Sequence, residues 1–131
     1  SAADEVRAAV ELTKLRAVKD RAPCVVLFNT VNNNYTAFID NGAGGGTADN
    51  EVRDGGEAII TQNVLPGTVQ MYSASFSGGV PRLRFRTNGI PNRFGSVRLR
   101  NSDLSMYRMI SVSITGFTKI RRSNDGVNWQ G

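Results

Sequence analysis

The sequence contains no histidine and only one cysteine, and these two shortages exclude most nucleophilic and zinc chemistry. Without an imidazole, no Ser–His or Cys–His pair can form, and most zinc sites lose a usual ligand. Cys24 alone cannot form an internal disulfide, so the cysteine count says little about the redox compartment. No apolar run reaches about 18 residues, so no segment of the sequence predicts a membrane span.

Length and composition predict one folded domain. The chain has 131 residues, of which 40% are hydrophobic, which is enough to build a core. Fourteen glycines and a charged fraction of only 21% argue against a long coiled coil.

Positive charge is concentrated in the last part of the chain. Residues 1–80 carry six Lys or Arg and nine Asp or Glu, a net charge of −3. Residues 81–131 carry ten Lys or Arg and two Asp, a net charge of +8. This asymmetry within one fold indicates an acidic partner, which would be nucleic acid, a membrane surface or a protein. The alternative is a solvated basic face that serves solubility.

The first 22 residues predict an α-helix, because they are rich in Ala, Leu, Glu, Lys and Arg and contain neither Gly nor Pro. One stripe of the helix is small and apolar, which suits close packing on a sheet. Further apolar residues on the opposite side predict a second contact, within the chain or with a partner. The stripe comprises Ala2, Ala3, Val6, Ala9, Val10, Thr13 and Ala17, and the opposite side comprises Ala8, Leu12 and Leu15.

The apolar pattern of the helix is already present at the second residue, whereas helices usually begin after a turn that supplies a side-chain cap. This early start predicts that residues 1–22 are the C-terminal half of a longer helix. The alternative is a helix that begins here and is capped by Ser1.

From Pro23 onward the hydrophobic period changes from 3.6 to 2, which predicts strands separated by Gly-, Asn- and Pro-rich turns. One helix followed by consecutive antiparallel strands predicts an α+β domain in which the helix lies on the sheet. A polar tail, Ser123–Gly131, carries the only tryptophan. The predicted strands are Cys24–Asn29, Tyr35–Asp40, Glu57–Thr61, Thr68–Phe76, Arg82–Thr87, Gly95–Asn101 and a long strand Tyr107–Arg122 that is bulged or bent at Gly116.

Five arginines alternate along two of these strands, so those of each strand share one face. The seven-residue loop Asn88–Phe94 predicts that the two strands pair as a hairpin, which would put all five on one surface. Like charges opposite each other destabilise a strand pair by roughly 0.2–1 kcal/mol, so the cluster needs a partner: phosphates, a neighbouring subunit or the chain's own acidic loop. The arginines are Arg82, Arg84, Arg86, Arg98 and Arg100, and the residues between them, Leu83, Phe85, Val97 and Leu99, are predicted to fill the core.

A second basic group, Lys119, Arg121 and Arg122, closes the last predicted strand and with Arg108 could extend the same surface. The simpler interpretation is a polar strand end.

The segment Asp40–Glu57 combines five acidic residues with many glycines. Its composition would permit calcium, but its spacing does not match a twelve-residue calcium loop, so a solvated loop is favoured. Nothing shapes a cleft for paired catalytic carboxylates, and the GAGGG run lacks the Lys-Ser/Thr of a phosphate-binding loop. Cys24 starts a buried strand, where cysteine acts as a small hydrophobe. We therefore predict no catalytic residue, no metal and no cofactor.

Four segments, taken in order, resemble the GspH/FimT-type minor pilins and pseudopilins. ADEVRAAVELTKLRAVKDRAPCVVLF resembles the end of that family's long N-terminal helix, followed by a Pro and an apolar first strand. YTAFIDNG…DGGEAII resembles its second strand, glycine–acid loop and next strand. LRFRTNGIPNRFGSVRLRN resembles a hairpin with Phe85, Gly89 and Val97–Leu99 at the family positions. ISVSITGFTKI resembles the closing strand, with Thr115–Gly116 before the basic Lys119.

The resemblance implies a pilin-like fold in which residues 1–22 are the C-terminal half of the long helix and residues 23–131 form one globular antiparallel domain. It also implies a leader peptide and an apolar helix upstream that anchors the subunit in the inner membrane. The globular domain would lie in the periplasm and later in an extracellular or periplasmic filament. Many relatives pin the C-terminal region with a disulfide, which Cys24 alone cannot do.

The implied function is that of a structural subunit and not an enzyme: a minor pilin that helps to initiate or cap a type IV pilus. Alternatives are a type II secretion minor pseudopilin, or a DNA-binding minor pilin that acts through the basic C-terminal half. Expected partners are other pilin or pseudopilin subunits and the inner membrane, with DNA as a further partner and no small-molecule substrate. Ala8, Leu12 and Leu15 are the predicted subunit interface. Arg82, Arg84, Arg86, Arg98, Arg100, Lys119, Arg121 and Arg122 are the predicted basic binding face.

Overall fold

The computed structural model describes all of residues 1–131 and begins with one long helix, α1, at Ala2–Asp20. The Ser1 hydroxyl accepts the Asp4 backbone N–H at 3.4 Å and so caps the first turn. The helix ends at Arg21, which adopts the left-handed conformation at φ 51°. No helix of the structure combines the length and the apolar character that crossing a bilayer requires.

Eight strands follow α1 and form two four-stranded antiparallel sheets. The first sheet has the order β3-β2-β1-β5, and the second has the order β4-β6-β7-β8. The strands are β1 Cys24–Asn29, β2 Asn34–Ile39, β3 Ile59–Val64, β4 Val69–Phe76, β5 Arg82–Phe85, β6 Gly95–Asn101, β7 Tyr107–Val112 and β8 Thr118–Ser123.

The helix packs one face against strands of both sheets, so a single hydrophobic core is shared by the helix and the two sheets. That face consists mainly of alanine and valine, which let the helix backbone approach the sheets closely. The predicted α+β arrangement of one helix on antiparallel sheets is confirmed. The buried helix residues are Ala3, Val6, Ala9, Val10, Thr13 and Ala17.

Polar contacts on the flanks of α1 fix its rotation over the core. The Tyr35 hydroxyl of β2 donates to Glu5 at 3.1 Å, and the Thr118 hydroxyl of β8 donates to Glu11 at 2.6 Å. These two contacts reach the helix from different sheets. The side of α1 that faces away from the core is therefore set by the fold.

The predicted hairpin of the two arginine-bearing strands is wrong. β5 pairs with β1, where Leu83 lies opposite Val26, whereas β6 pairs with β4 and β7 in the other sheet. After β5 the chain makes its own tight turn, in which the Arg86 N–H donates to the Ile90 carbonyl at 2.9 Å. The physical reason is that β1 is buried along most of its length, so its backbone N–H and C=O groups need a hydrogen-bonded strand on each side. The four predicted core residues Leu83, Phe85, Val97 and Leu99 are all buried, as expected.

The predicted long strand Tyr107–Arg122 is two strands, β7 and β8, which form a hairpin. The turn between them is closed by the Ser113 N–H, which donates to the Phe117 carbonyl, and it contains Gly116 at φ 89°. The two-residue alternation of apolar and polar side chains can continue without interruption through such a turn, so the alternation alone cannot show where the chain reverses. The glycine that the sequence indicated as a bend marks the reversal of the chain.

The polar tail is ordered by main-chain pairing. Arg122 and Gln130 exchange both backbone hydrogen bonds at 2.8 Å, so the chain end lies along the outer edge of β8. Between them, the Asp125 carboxylate accepts the backbone N–H groups of Val127 and Asn128. This arrangement holds the tail without a disulfide and places its tryptophan beside the second sheet.

Candidate functional site

The outward side of α1 is apolar, and we call it the helix outer face: Ala8, Leu12, Leu15 and Val18. Leu12 is 41% exposed and Leu15 is 62% exposed, although both are leucines on a helix that is fully packed on its other side. A groove runs beside this face, between the helix and residues 88–90. The three predicted interface residues all lie on this exposed side.

The turn between β7 and β8 lies at the edge of the same groove. The Lys14 ammonium donates to the Gly116 carbonyl at 3.3 Å and ties this turn to the helix. The turn also exposes two large apolar side chains, Ile114 and Phe117. Leucine, isoleucine and phenylalanine left in water at one end of the molecule are typical of a protein–protein contact.

The acidic segment 40–57 is folded onto the domain, and the expected solvated loop is therefore wrong in part. Asp40 and Glu57 are fully buried. The Asp40 carboxylate accepts the Glu51 N–H at 2.7 Å, and the two Glu57 oxygens accept the N–H groups of Gly42 and Asp54 at 2.8 and 2.9 Å. These carboxylates hold loop backbone, because a glycine-rich segment has few side chains with which to pack. No three Asp, Glu, Cys or His side chains converge as metal ligands.

Glu51 is the centre of an ion-pair cluster. Its carboxylate accepts hydrogen bonds from Arg82 Nε at 3.1 Å, from Asn92 Nδ2 at 3.0 Å and from Arg93 Nη1. Arg84 Nη1 lies 3.4 Å from the same carboxylate. Burial by itself raises the pKa of Glu51, but the bonds from Arg93, Asn92 and Arg82 outweigh it and hold the pKa below its ordinary value.

This cluster decides the partner of the β5 arginines. Arg82 and Arg84 are neutralised within the chain, and Arg84 also pairs with Asp49 at 3.2 Å. Arg86 lies beyond the end of β5, is exposed, and has no salt bridge. Of the three partners predicted for the arginines, the chain's own acidic loop is thus the one that Arg82 and Arg84 contact.

The other arginines lie on the outer side of the second sheet among aromatic rings. The Arg98 guanidinium carbon lies 5.6 Å from the centre of the Trp129 ring, and that of Arg100 lies 4.8 Å from the centre of the Tyr72 ring. Tyr72 meets Tyr107 edge-on, with ring centres 6.0 Å apart. Burial raises the pKa of Tyr72, although the charges of Arg98 and Arg100 oppose this shift. We call these five residues the arginine–aromatic face.

The second basic group is divided between the two sides of the sheet. Along β7, Arg98 lies opposite Met109 and Met109 lies opposite Arg121, so Arg121 shares the side of Arg98. Lys119 is two residues away on the same strand and shares that side. Arg122 lies opposite Arg108, which in turn lies opposite the buried Leu99, so both belong to the inner side. Only half of the predicted extension therefore joins the arginine–aromatic face.

The aromatic members of this face are candidate functional residues that the sequence reasoning missed. Tyr72 and Tyr107 stand in predicted strands, and their positions in the alternation were the available signal. Trp129 could not be found this way, because only the Arg122–Gln130 pairing brings it to the sheet.

The family model described as "Type II transport protein GspH" matches residues 2–116 of the chain. The minor pseudopilin EpsH of the Vibrio cholerae Type 2 Secretion System superimposes with a TM-score of 0.65 at 13% identity, covering 91% of this chain and 92% of EpsH. The type IV minor pilin FimU of Pseudomonas aeruginosa PAO1 superimposes with a TM-score of 0.61 at 17% identity, covering 91% of this chain and 84% of FimU. At these identities the similarity establishes the fold. Both neighbours are pilin or pseudopilin subunits and not enzymes. A search of curated proteins yields no match.

Proposed function

The chain belongs to the GspH family, and from that premise we propose that it is a minor pilin that helps to initiate or cap a type IV pilus. The resemblance and the pilin-like fold predicted from the sequence are confirmed by the family match and by the structural neighbours. A structural subunit of the minor pilin or pseudopilin type needs a surface for neighbouring subunits. The helix outer face is the observation that carries the proposal.

The apolar residues of the helix outer face contribute little to the fold of the single chain. Leu15 is 62% exposed, while the buried side of the same helix already fills the core. Full burial of one leucine side chain contributes about 1.5–3 kcal/mol, so a neighbour that covers Leu12 and Leu15 would gain substantial binding energy. We propose that Ala8, Leu12 and Leu15 contact the helix of an adjacent pilin subunit.

Membrane attachment is the second part of the proposal. An apolar helix that precedes residue 1 holds the subunit in the inner membrane and later lies in the filament core, with the globular domain in the periplasm. The support is the resemblance to GspH/FimT-type pilins, whose members carry such a segment. Expression from the complete reading frame should place the protein in the membrane fraction, and recovery entirely in the soluble fraction would contradict this part.

The experiment for the subunit role uses the complete protein in its own host, carrying Leu12→Asp and Leu15→Asp. We expect loss of surface pili with a normal level of the variant protein, because buried carboxylates would disrupt the contact. The matched control is Val31→Asp with Val127→Asp, two strongly exposed valines outside α1. Normal piliation together with normal exoprotein secretion in the Leu12/Leu15 variant would refute the assignment of this face.

The second candidate function is a minor pseudopilin of a type II secretion system. It is favoured by the matched family description and by the EpsH superposition. The same strains separate the two roles. Loss of piliation with normal exoprotein secretion supports a pilus subunit, and the reverse supports a pseudopilin.

A further inference from the structure

We propose that β3 is a docking edge for an extended segment of another protein, which adds to the first sheet as a further strand. The segment that fits this edge carries apolar side chains at alternate positions and a basic residue at one end. The interaction uses main-chain groups that the subunit role does not require, so it stands independently of the proposed function.

The edges of a sheet expose main-chain groups that bind other strands unless something covers them. Three of the four edges in this fold are covered, at least in part, by the chain itself. Along β5, the Arg84 N–H donates to the Asn92 side chain at 2.8 Å, and the chain end lies along β8. At the start of β4, the Met71 N–H donates to the Asn33 side chain at 2.7 Å. β3 is the remaining edge, and it forms no main-chain hydrogen bond to the backbone beyond its ladder with β2.

The register of β3 shows which of its main-chain groups are free. The Leu65 N–H donates to the Asn33 carbonyl at 2.8 Å. In an antiparallel ladder, alternate residues bond to the same neighbour, so Asn63 bonds to β2 as well. Gln62 and Val64 direct their N–H and C=O groups the other way, and both residues are exposed. These four groups form a row of donors and acceptors that an extended main chain matches.

β3 lacks the features by which natural sheets discourage such pairing. Its sequence, Ile59–Val64, contains no charged residue and no proline. Its one irregularity is a register shift opposite Ala37 and Phe38, which lies before the regular stretch 61–64. An edge that stays regular and uncharged over this stretch is available for strand addition.

The surface beside β3 determines the chemistry of the added segment. Thr61 lies opposite the buried Ala37 and so faces the helix side of the sheet. A depression on that side is lined by Ala8 and Leu12 of α1, and Glu5 is its only charged residue. Every second side chain of an added strand would enter this depression. Apolar groups there would bury Leu12, and a basic group would pair with Glu5.

The same depression disfavours a second copy of β3 as the added strand. An antiparallel copy would bring Thr61 and Asn63, two polar side chains, against the exposed Leu12. It would also bring no positive charge to Glu5. A segment of a different protein satisfies both requirements.

The test uses the 131-residue chain and a synthetic peptide of about eight residues, within the length range of ordinary strands. In the peptide, valine and threonine alternate between terminal lysines. NMR titration of the isotope-labelled protein should show saturable shifts of the Gln62 and Val64 amides. Hydrogen exchange at these two amides should slow at least about tenfold with peptide bound, whereas Asn63, already bonded to β2, should change by less than about twofold.

Two modified peptides identify the pairing geometry. With the valines over the depression, the threonine N–H groups face β3 and the valine N–H groups face away. N-methylation of the threonines should therefore abolish binding, and N-methylation of the valines should weaken it by less than about twofold. Both peptides carry the same number of added methyl groups, so each is the matched control of the other.

Variants of the protein locate the site. Gln62→Pro removes an outward N–H without removing a bond to β2, a position where an edge strand tolerates proline. It should weaken peptide binding at least about fivefold. Leu12→Asp should weaken binding by a similar factor, because a carboxylate replaces apolar surface in the depression. The matched control, Val127→Asp, adds the same charge at a strongly exposed position in the tail and should change affinity by less than about twofold.

Three results would overturn the proposal. They are absence of saturable shifts, shifts centred on another edge or on the arginine–aromatic face, and equal binding of the two N-methylated peptides. Shifts of β3 that appear with protein concentration alone would reassign the edge to a second copy of this chain. Should Gln62→Pro fail to fold, the N-methylated peptides give the same test on the unmodified protein. Filament assembly is not measured here, so failure leaves the subunit proposal untouched.

Discussion

Glu51 accepts a hydrogen bond from Arg82 Nε at 3.1 Å, although 31 residues separate them in the chain. The Glu51 side chain is only 11% exposed. This contact fastens the acidic, glycine-rich loop to the edge strand of the first sheet, and Arg93 and Asn92 reach the same carboxylate from the segment after β5. A surface arginine that looks free in the sequence is therefore part of the internal structure.

Replacement of Glu51 by Gln should destabilise the domain by about 1–3 kcal/mol, because it leaves several arginine donors without an anionic acceptor. The measurement is the free energy of unfolding in urea at neutral pH. Asp103→Asn is the matched control, since Asp103 is exposed in a local turn and should change stability by less than about 0.5 kcal/mol. Equal stabilities for the two variants would mean that the cluster is not structural.

Stability should fall in acid, in part through Glu51. Its pKa is lower in the folded chain than the ordinary 4.5, so the unfolded chain takes up a proton first as the pH decreases. The contribution is complete above the ordinary pKa and is lost as the pH falls through the folded pKa. Urea titrations from neutral to acidic pH should show a shallower slope for Glu51→Gln than for the unmodified chain. Parallel slopes would contradict the assignment.

Cys24 should be unreactive in the folded protein. Burial is the main cause that raises the pKa of its thiol to about 12, and the side chain is inaccessible in β1. A colourimetric disulfide reagent at mildly alkaline pH should label it only after denaturation. Rapid labelling of the native protein would show that β1 opens locally.

The two sides of α1 should respond differently to truncation. Val10→Ala should lower the free energy of unfolding by about 2 kcal/mol, because Val10 is buried in the core and its loss leaves a cavity. Leu15→Ala removes a larger side chain, yet it should change stability by less than about 0.5 kcal/mol, since the leucine is mostly in water. Comparable losses would indicate that the helix outer face is covered within the chain.

Glycines of the acidic loop should tolerate alanine less well than glycines of the hairpin after β4. Gly55 and Gly78 both have positive φ, so alanine strains either position by about 1–2 kcal/mol. At Gly55 an added Cβ would also lie 2.2 Å from the Gly46 nitrogen, whereas at Gly78 nothing lies within 4 Å. Thermal unfolding should therefore show that Gly55→Ala costs at least about 1 kcal/mol more than Gly78→Ala.

The local hydrophobic pattern was sufficient to predict most secondary-structure elements of this protein, with the exception of the β7–β8 hairpin, and to predict which face of most of them is buried. The helix stripe of Ala3, Val6 and Val10 is buried as its 3.6-residue period predicts, and Leu83 and Leu99 are buried as the alternation of their strands predicts. The order of the parts was also sufficient to identify the pilin-like family. These properties depend on residues near one another in the chain, so the hydrophobic period and the order of the segments show them directly.

Partnership between distant segments was decided only by the tertiary structure. Arg82 and Arg98 look equivalent in the sequence, since each alternates with buried residues on a strand. The fold puts Arg82 beside Glu51 and Arg98 beside Trp129, and so makes one an internal ion pair and leaves the other on an exposed basic surface. The physical reason is that the assignment of each strand to one of the two sheets, and the return of the chain end along β8, together minimise the exposed apolar area of the whole core. No local hydrophobic period encodes that total area.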